Sequence, residues 1–166
     1  MKHLFAAAAL LTPVLMAPAW AQPAPQPMKL FTAGADIPAL IARAKADQKS
    51  PTINSVETIA NVAPYRVLLE YRTGLTPPTV HRGQAELVYV IQGSATLAVG
   101  GHLTGMQPPR AGSASETGTG IEGATPQKLT QGDYAMVPPD TAHQFQDVKG
   151  EFVIMSVHLI MPDAKN

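Results

Sequence analysis

The sequence predicts an all-β domain, a sandwich or a closed barrel, with one short helix in front. Three observations lead there. Helical spacing of apolar residues occurs once, over residues 37–47. From about residue 55 onward, short runs rich in β-branched and aromatic residues recur, punctuated by turns such as Gly93-Ser94 and Gly100-Gly101. Strands in succession with little helix between them pack sheet on sheet or close into a barrel. The 166 residues, 45 % of them apolar, fit one domain with a real core, since domains run to about 100–200 residues.

Taken in order, Met1-Lys2-His3 is a short, weakly basic start, and Leu4 to Met16 is an apolar run. Ala19-Trp20-Ala21 then supplies an A-x-A cleavage pattern before Gln22. Residues 1–21 are therefore expected to be a secretory signal peptide, with the mature chain beginning at Gln22. A membrane anchor is the competing reading. Pro13 and Pro18 interrupt the run, which falls short of the roughly 20 residues a span needs. No twin arginine is present, so export unfolded by the general route is expected, to a periplasmic or secreted location. After signal cleavage no membrane partner is expected.

The proline-rich leader at 22–27 should be extended. Asp36 precedes Ile37-Pro38, and apolar residues recur at Ile37, Leu40, Ile41 and Ala44. That is an N-cap, a first-turn proline and a helical stripe, which predicts a helix over 37–47 packed on the side of the domain. Residues 22–50 are thus leader and helix, and 51–166 the β domain. Strands are predicted over Val67–Arg72, Glu86–Ile91, Ala95–Val99, Tyr134–Val137, His143–Val148 and Phe152–Ile160. Tyr71, Tyr89 and Tyr134 are read as packing residues. The stretch 103–127, rich in Gly, Ser, Thr and Pro, breaks the rhythm. It reads as a structureless insert, either a solvated excursion or the rim or lid of a pocket.

Composition narrows the function classes. Formal net charge is zero and the charged fraction 14 %. No basic face is implied, which argues against a nucleic-acid partner. With no cysteine, disulfides, thiolate nucleophiles and cysteine-based metal sites are excluded.

Two stretches carry the chemistry. The first is Thr79-Val80-His81-Arg82-Gly83-Gln84-Ala85-Glu86, with Gly74 before it and Gly93 after. The second is Gly132 through Pro138 to His143, followed by Asp147. Together they resemble the two motifs of the cupin superfamily, and the chain is similar to small single-domain bacterial cupins with a leading helix. The resemblance spans about residues 67–148. It implies a cupin-type jelly-roll β-barrel, with metal ligands at His81, Glu86 and His143. Three positions depart from the family pattern. Thr79 stands where a first histidine is usual, Asp140 replaces a glycine, and Asp147 replaces an asparagine.

The residue chemistry points the same way. His81 lies near the end of one strand and Glu86 near the start of the next, joined through Gly83. Glu86, Val88 and Val90 share one face of their strand. A carboxylate leading an apolar face is costly if buried without a partner, which favours a ligand role. His143 enters from a later strand. His158 follows Ser156 on the last strand and reads first as an edge or surface histidine. Its alternative, like that of Thr79, is an additional pocket residue. His102 reads as a turn residue.

Imidazole and carboxylate together suit a divalent metal. Zinc is expected first, because an exported site fills by intrinsic affinity. Iron, manganese, nickel and copper are the other candidates. The expected function is a metal-dependent enzyme, an oxygenase, lyase or isomerase, acting on a small polar organic molecule. A non-catalytic small-molecule binding or sensing protein is the alternative, since fold does not choose among cupin roles. Metal-free His/Asp acid–base isomerisation ranks last, because the sequence offers His81 no clear aspartate partner. A homodimer through sheet edges is a milder expectation.

Overall fold

The computed structural model describes residues 27–108, 113 and 115–161. The expected signal peptide and the start of the leader lie outside the described residues. A 3₁₀ turn at Gly34–Asp36 leads into the helix α1 (Ile37–Asp47). Among the described residues twelve strands follow: β1 (Ser55–Val62), β2 (Tyr65–Arg72), β3 (Thr79–His81), β4 (Gln84–Gln92), β5 (Ser94–Val99) and β6 (His102–Thr104), then β7 (Ser115–Thr117), β8 (Gly120–Glu122), β9 (Thr125–Thr130), β10 (Tyr134–Val137), β11 (His143–Gln146) and β12 (Phe152–Ile160). They form two five-stranded antiparallel sheets, ordered β1-β2-β12-β4-β10 and β7-β3-β11-β5-β9, with β6 and β8 as a separate ribbon. This is the jelly-roll architecture the sequence predicts.

The core lies between the sheets. Val88, Val90, Leu97, Val137, Phe145, Phe152 and Ile154 are buried there together. The inward alternation of Val88 and Val90 continues to Glu86, as the strand periodicity requires. The opposite face of the first sheet is covered at one end by α1. Leu40 and Ala44 of the helix stripe pack on Leu69, Tyr71 and Val153. Strand β2 is therefore buried on both faces at this end, with Leu69 and Tyr71 under the helix and Glu70 and Arg72 inside the barrel.

Several local expectations need correction. Asp36 makes no side-chain capping hydrogen bond, because it ends the 3₁₀ turn in a helical conformation and not the extended one a cap needs. The stretch 103–127 is not structureless. It completes the β6–β8 ribbon, adds β7 to the edge of the second sheet beside β3, and starts β9 beside β5. Small and polar residues make these strands hard to see, and of β9 only Leu129 is buried. Pro126 is tolerated because β9 is an edge strand. His102 opens β6 and leaves the turn to Gly100-Gly101. Tyr71 is buried packing as read, but Tyr134 is 69 % exposed and stacks on Tyr89 at 4.7 Å between ring centroids.

Candidate metal centre

The β3–β4 connection passes the chain from one sheet to the other. It needs only Arg82-Gly83, with Gly83 in the left-handed region at φ +65°. His81 and Glu86 consequently face each other across the barrel interior, His81 Nε2 lying 3.5 Å from Glu86 Oε2. His143 opens β11, opposite Thr79 in register, and its Nε2 is 2.9 Å from Glu86 Oε2. His158 is not an edge histidine. Strand β12 is central in its sheet and sets His158 directly opposite Glu86, so the two side chains share one face. Its Nε2 is 3.8 Å from Glu86 Oε1, and its ring lies 4.1 Å from that of His81.

One buried carboxylate thus meets three imidazoles. His81, Glu86 and His158 each offer a ligand atom within 4.8 Å of the others'; His143, expected in that set, reaches the Glu86 carboxylate but is not part of this mutually close group. Burial by itself would push the Glu86 carboxyl up. The imidazoles of His143, His158 and His81 outweigh that and hold it well below the usual carboxylate range. Glu86 in turn holds the His158 imidazole above its ordinary value, against the opposing effect of burial.

The donor set fits a divalent cation on one detail. Glu86 Oε2 is buried with no aligned hydrogen bond among the described residues, although His143 Nε2 is close. The other ring nitrogen of His143 lies 3.2 Å from the carbonyl oxygen of Thr141. A carbonyl only accepts, which places a proton on Nδ1. With Nδ1–H directed to that carbonyl, a cation held between Nε2 and Glu86 Oε2 would satisfy both atoms. A backbone carbonyl on the far nitrogen is also the usual arrangement behind a metal-bound imidazole.

The substituted motif positions serve the backbone. Asp140 and Asp147 have φ +56° and +51°, which aspartate tolerates better than most residues. Asp140 also ties the two motif loops together. Its Oδ1 accepts from Gly83 N–H at 3.2 Å, and its own N–H donates to His81 O at 3.1 Å.

The site opens into a cavity of about 360 Å³. Its wall combines polar side chains, Asn54, Thr76, Thr79, Ser115, Thr117 and Gln144 among them, with apolar ones such as Ile53, Val56, Leu68 and Phe145. Thr79, expected as an additional pocket residue, therefore faces this space. A buried ionic cluster that the sequence reading missed also lines it. Glu70 accepts from Arg72 Nη2 and from Asn54 Nδ2 on Oε2, both at 2.6 Å, and from Ser156 on Oε1 at 2.5 Å. Arg72 Nη1 donates to Thr76 at 2.7 Å, and its guanidinium lies over the Phe145 ring. Alternation sets Glu70 and Arg72 opposite Leu69 and Tyr71, but only the fold says which face is the barrel interior. Ser115 was missed as well. No signal short of the β3–β7 pairing could have found it.

The cupin family model matches residues 48–159, more than half of the chain, and the chain belongs to that family. Solved structures similar to it include KdgF from Halomonas sp., at 14 % identity over 70 % of this chain and 88 % of that one, TM-score 0.48. A cupin-2 domain protein from Shewanella frigidimarina matches at 19 % identity, 62 % and 78 % coverage and TM-score 0.44. A Klebsiella pneumoniae protein with a double-stranded β-helix domain matches at 17 %, 72 % and 81 %, and 0.49. At these levels none bears on what the chain acts on. None of the curated proteins compared with the chain matches it significantly.

Proposed function

We propose that this cupin is an exported, metal-dependent enzyme acting on a small polar organic molecule in the periplasm, with zinc as its metal. The observation that carries the reading is the buried Glu86 carboxylate, met by three imidazoles, with no aligned donor to Oε2 among the described residues. His81, Glu86 and His143 would hold the ion, and His158 would add the imidazole that Thr79 does not provide. Bound there, a divalent metal supplies Lewis-acid polarisation of a substrate oxygen. The chain's own groups do the rest. Thr79 and the other hydroxyls and amides of the wall hydrogen-bond a polar ligand, and the apolar core behind the site keeps bulk water from one side.

Metal analysis of untagged protein purified from the periplasm, without added metal, tests the reading. Near-stoichiometric zinc supports it. Stoichiometric iron or manganese would overturn zinc and bring oxygenase chemistry forward. Metal-free protein that does not take up zinc would overturn the enzyme reading in favour of non-catalytic binding. Mass spectrometry of the same sample checks export, with a chain starting at Gln22 expected and an intact Met1 in soluble exported material refuting it.

A further inference from the structure

We infer that Ser115, carried by the 103–127 segment, is the positioning residue for His81, so that this segment builds both the wall of the cavity and the ligand geometry. The inference rests on the metal reading above and assigns the segment its part in it. Ser115 Oγ lies 2.7 Å from His81 Nδ1, which leaves Nε2 as the nitrogen turned to Glu86. Ser115 and His81 are directly paired in the β3–β7 ladder, as are Thr79 and Thr117. The contact is therefore set by backbone register and does not depend on a loop finding its place.

The ladder is itself fastened. Arg82, the residue after His81, donates to both carboxylate oxygens of Glu116, from Nε at 2.9 Å and from Nη2 at 2.5 Å. That two-point pairing fixes orientation as well as distance. It bolts the residue beside Ser115 to the residue beside His81. His143 has its far nitrogen held by a backbone carbonyl of its own loop. Among the described residues, His81 Nδ1 has the hydroxyl delivered by the segment as its hydrogen-bond partner. With an ion on Nε2, Nδ1–H donates to Ser115, and loss of such an outer partner weakens metal affinity by about 10–100-fold.

The test uses the full-length protein, freed of metal by a chelator, with Ser115→Ala, Ser115→Thr and, as a remote control, His102→Ala. Zinc affinity is measured by competition with a chromophoric chelator. The His81 ring nitrogens are followed in the metal-free protein by long-range ¹H–¹⁵N correlation. The expected result is at least a tenfold loss of zinc affinity in Ser115→Ala, restored to within about threefold by Thr, with the control unchanged. The His81 nitrogen shifts should move in the Ala variant and return in the Thr variant. Unchanged His81 shifts and unchanged affinity in Ser115→Ala overturn the inference. A wild-type protein that binds no zinc, yet shows the Ser115-dependent shifts, sinks the metal reading and leaves the orienting contact standing.

Discussion

Replacing Arg72 by methionine removes one half of a buried ion pair while keeping most of the side-chain volume. Arg72 and Glu70 are only 8 % and 6 % exposed. The change deletes the hydrogen bonds to Glu70 and Thr76 and the contact over Phe145. It leaves the Glu70 carboxylate inside the barrel with Asn54 and Ser156 as its donors. Breaking a buried pair by removing one partner costs about 3–5 kcal/mol. The two remaining donors place this case near the lower end, at about 3 kcal/mol. At roughly 2–4 °C per kcal/mol for a chain of this size, the melting temperature should fall by about 6–12 °C. Urea unfolding with an unchanged slope gives the free energy directly. The double variant Glu70→Leu with Arg72→Met removes both charges and should be more stable than the single one, because no uncompensated carboxylate remains. A cost below about 1 kcal/mol for Arg72→Met, or a double variant no more stable than the single, would refute the reasoning.

Three other predictions bear on the site and its supports. His158→Ala should weaken zinc binding by more than the roughly 10–100-fold typical of losing an outer partner, and Thr79→His should not restore it, as competition titration would show. Asp140→Leu forces a branched residue into the left-handed region, at about 1–2 kcal/mol, and cuts the tie to Gly83. Asp140→Gly cuts only the tie and should lose less stability in urea. The Lys45–Glu151 pair joins α1 to the loop before β12. Lys45 holds the Glu151 carboxyl below its ordinary 4.5, and Glu151 holds Lys45 above its ordinary 10.5. The carboxylate's contribution is present above 4.5 and is lost as pH falls through its lowered folded value. The ammonium's is present below 10.5 and is lost as pH rises through its raised one. Melting of Glu151→Gln relative to wild type should therefore differ across the neutral range and converge at both extremes; a constant difference would contradict the pairing.

Local pattern in the sequence determined much of this protein. The apolar spacing of Ile37, Leu40, Ile41 and Ala44 specifies a helix with one buried face, and α1 is that helix. Alternation in β4 puts Glu86 on the same face as Val88 and Val90, and a charge there has to find partners. The short link through Gly83 is enough to set His81 near it. These features depend on neighbours a few residues apart, so they are legible along the chain. Tertiary structure decided the rest. His158 meets Glu86 because β12 lies between β2 and β4 in its sheet, a placement that the residues around His158 do not encode. Glu70 and Arg72 turn inward because α1 occupies the other face of β2. Ser115 reaches His81 through strand pairing across 34 residues. Contacts of that kind follow from which strands lie side by side, and strand order is settled by how the whole chain closes its barrel, not by any one segment's own preference.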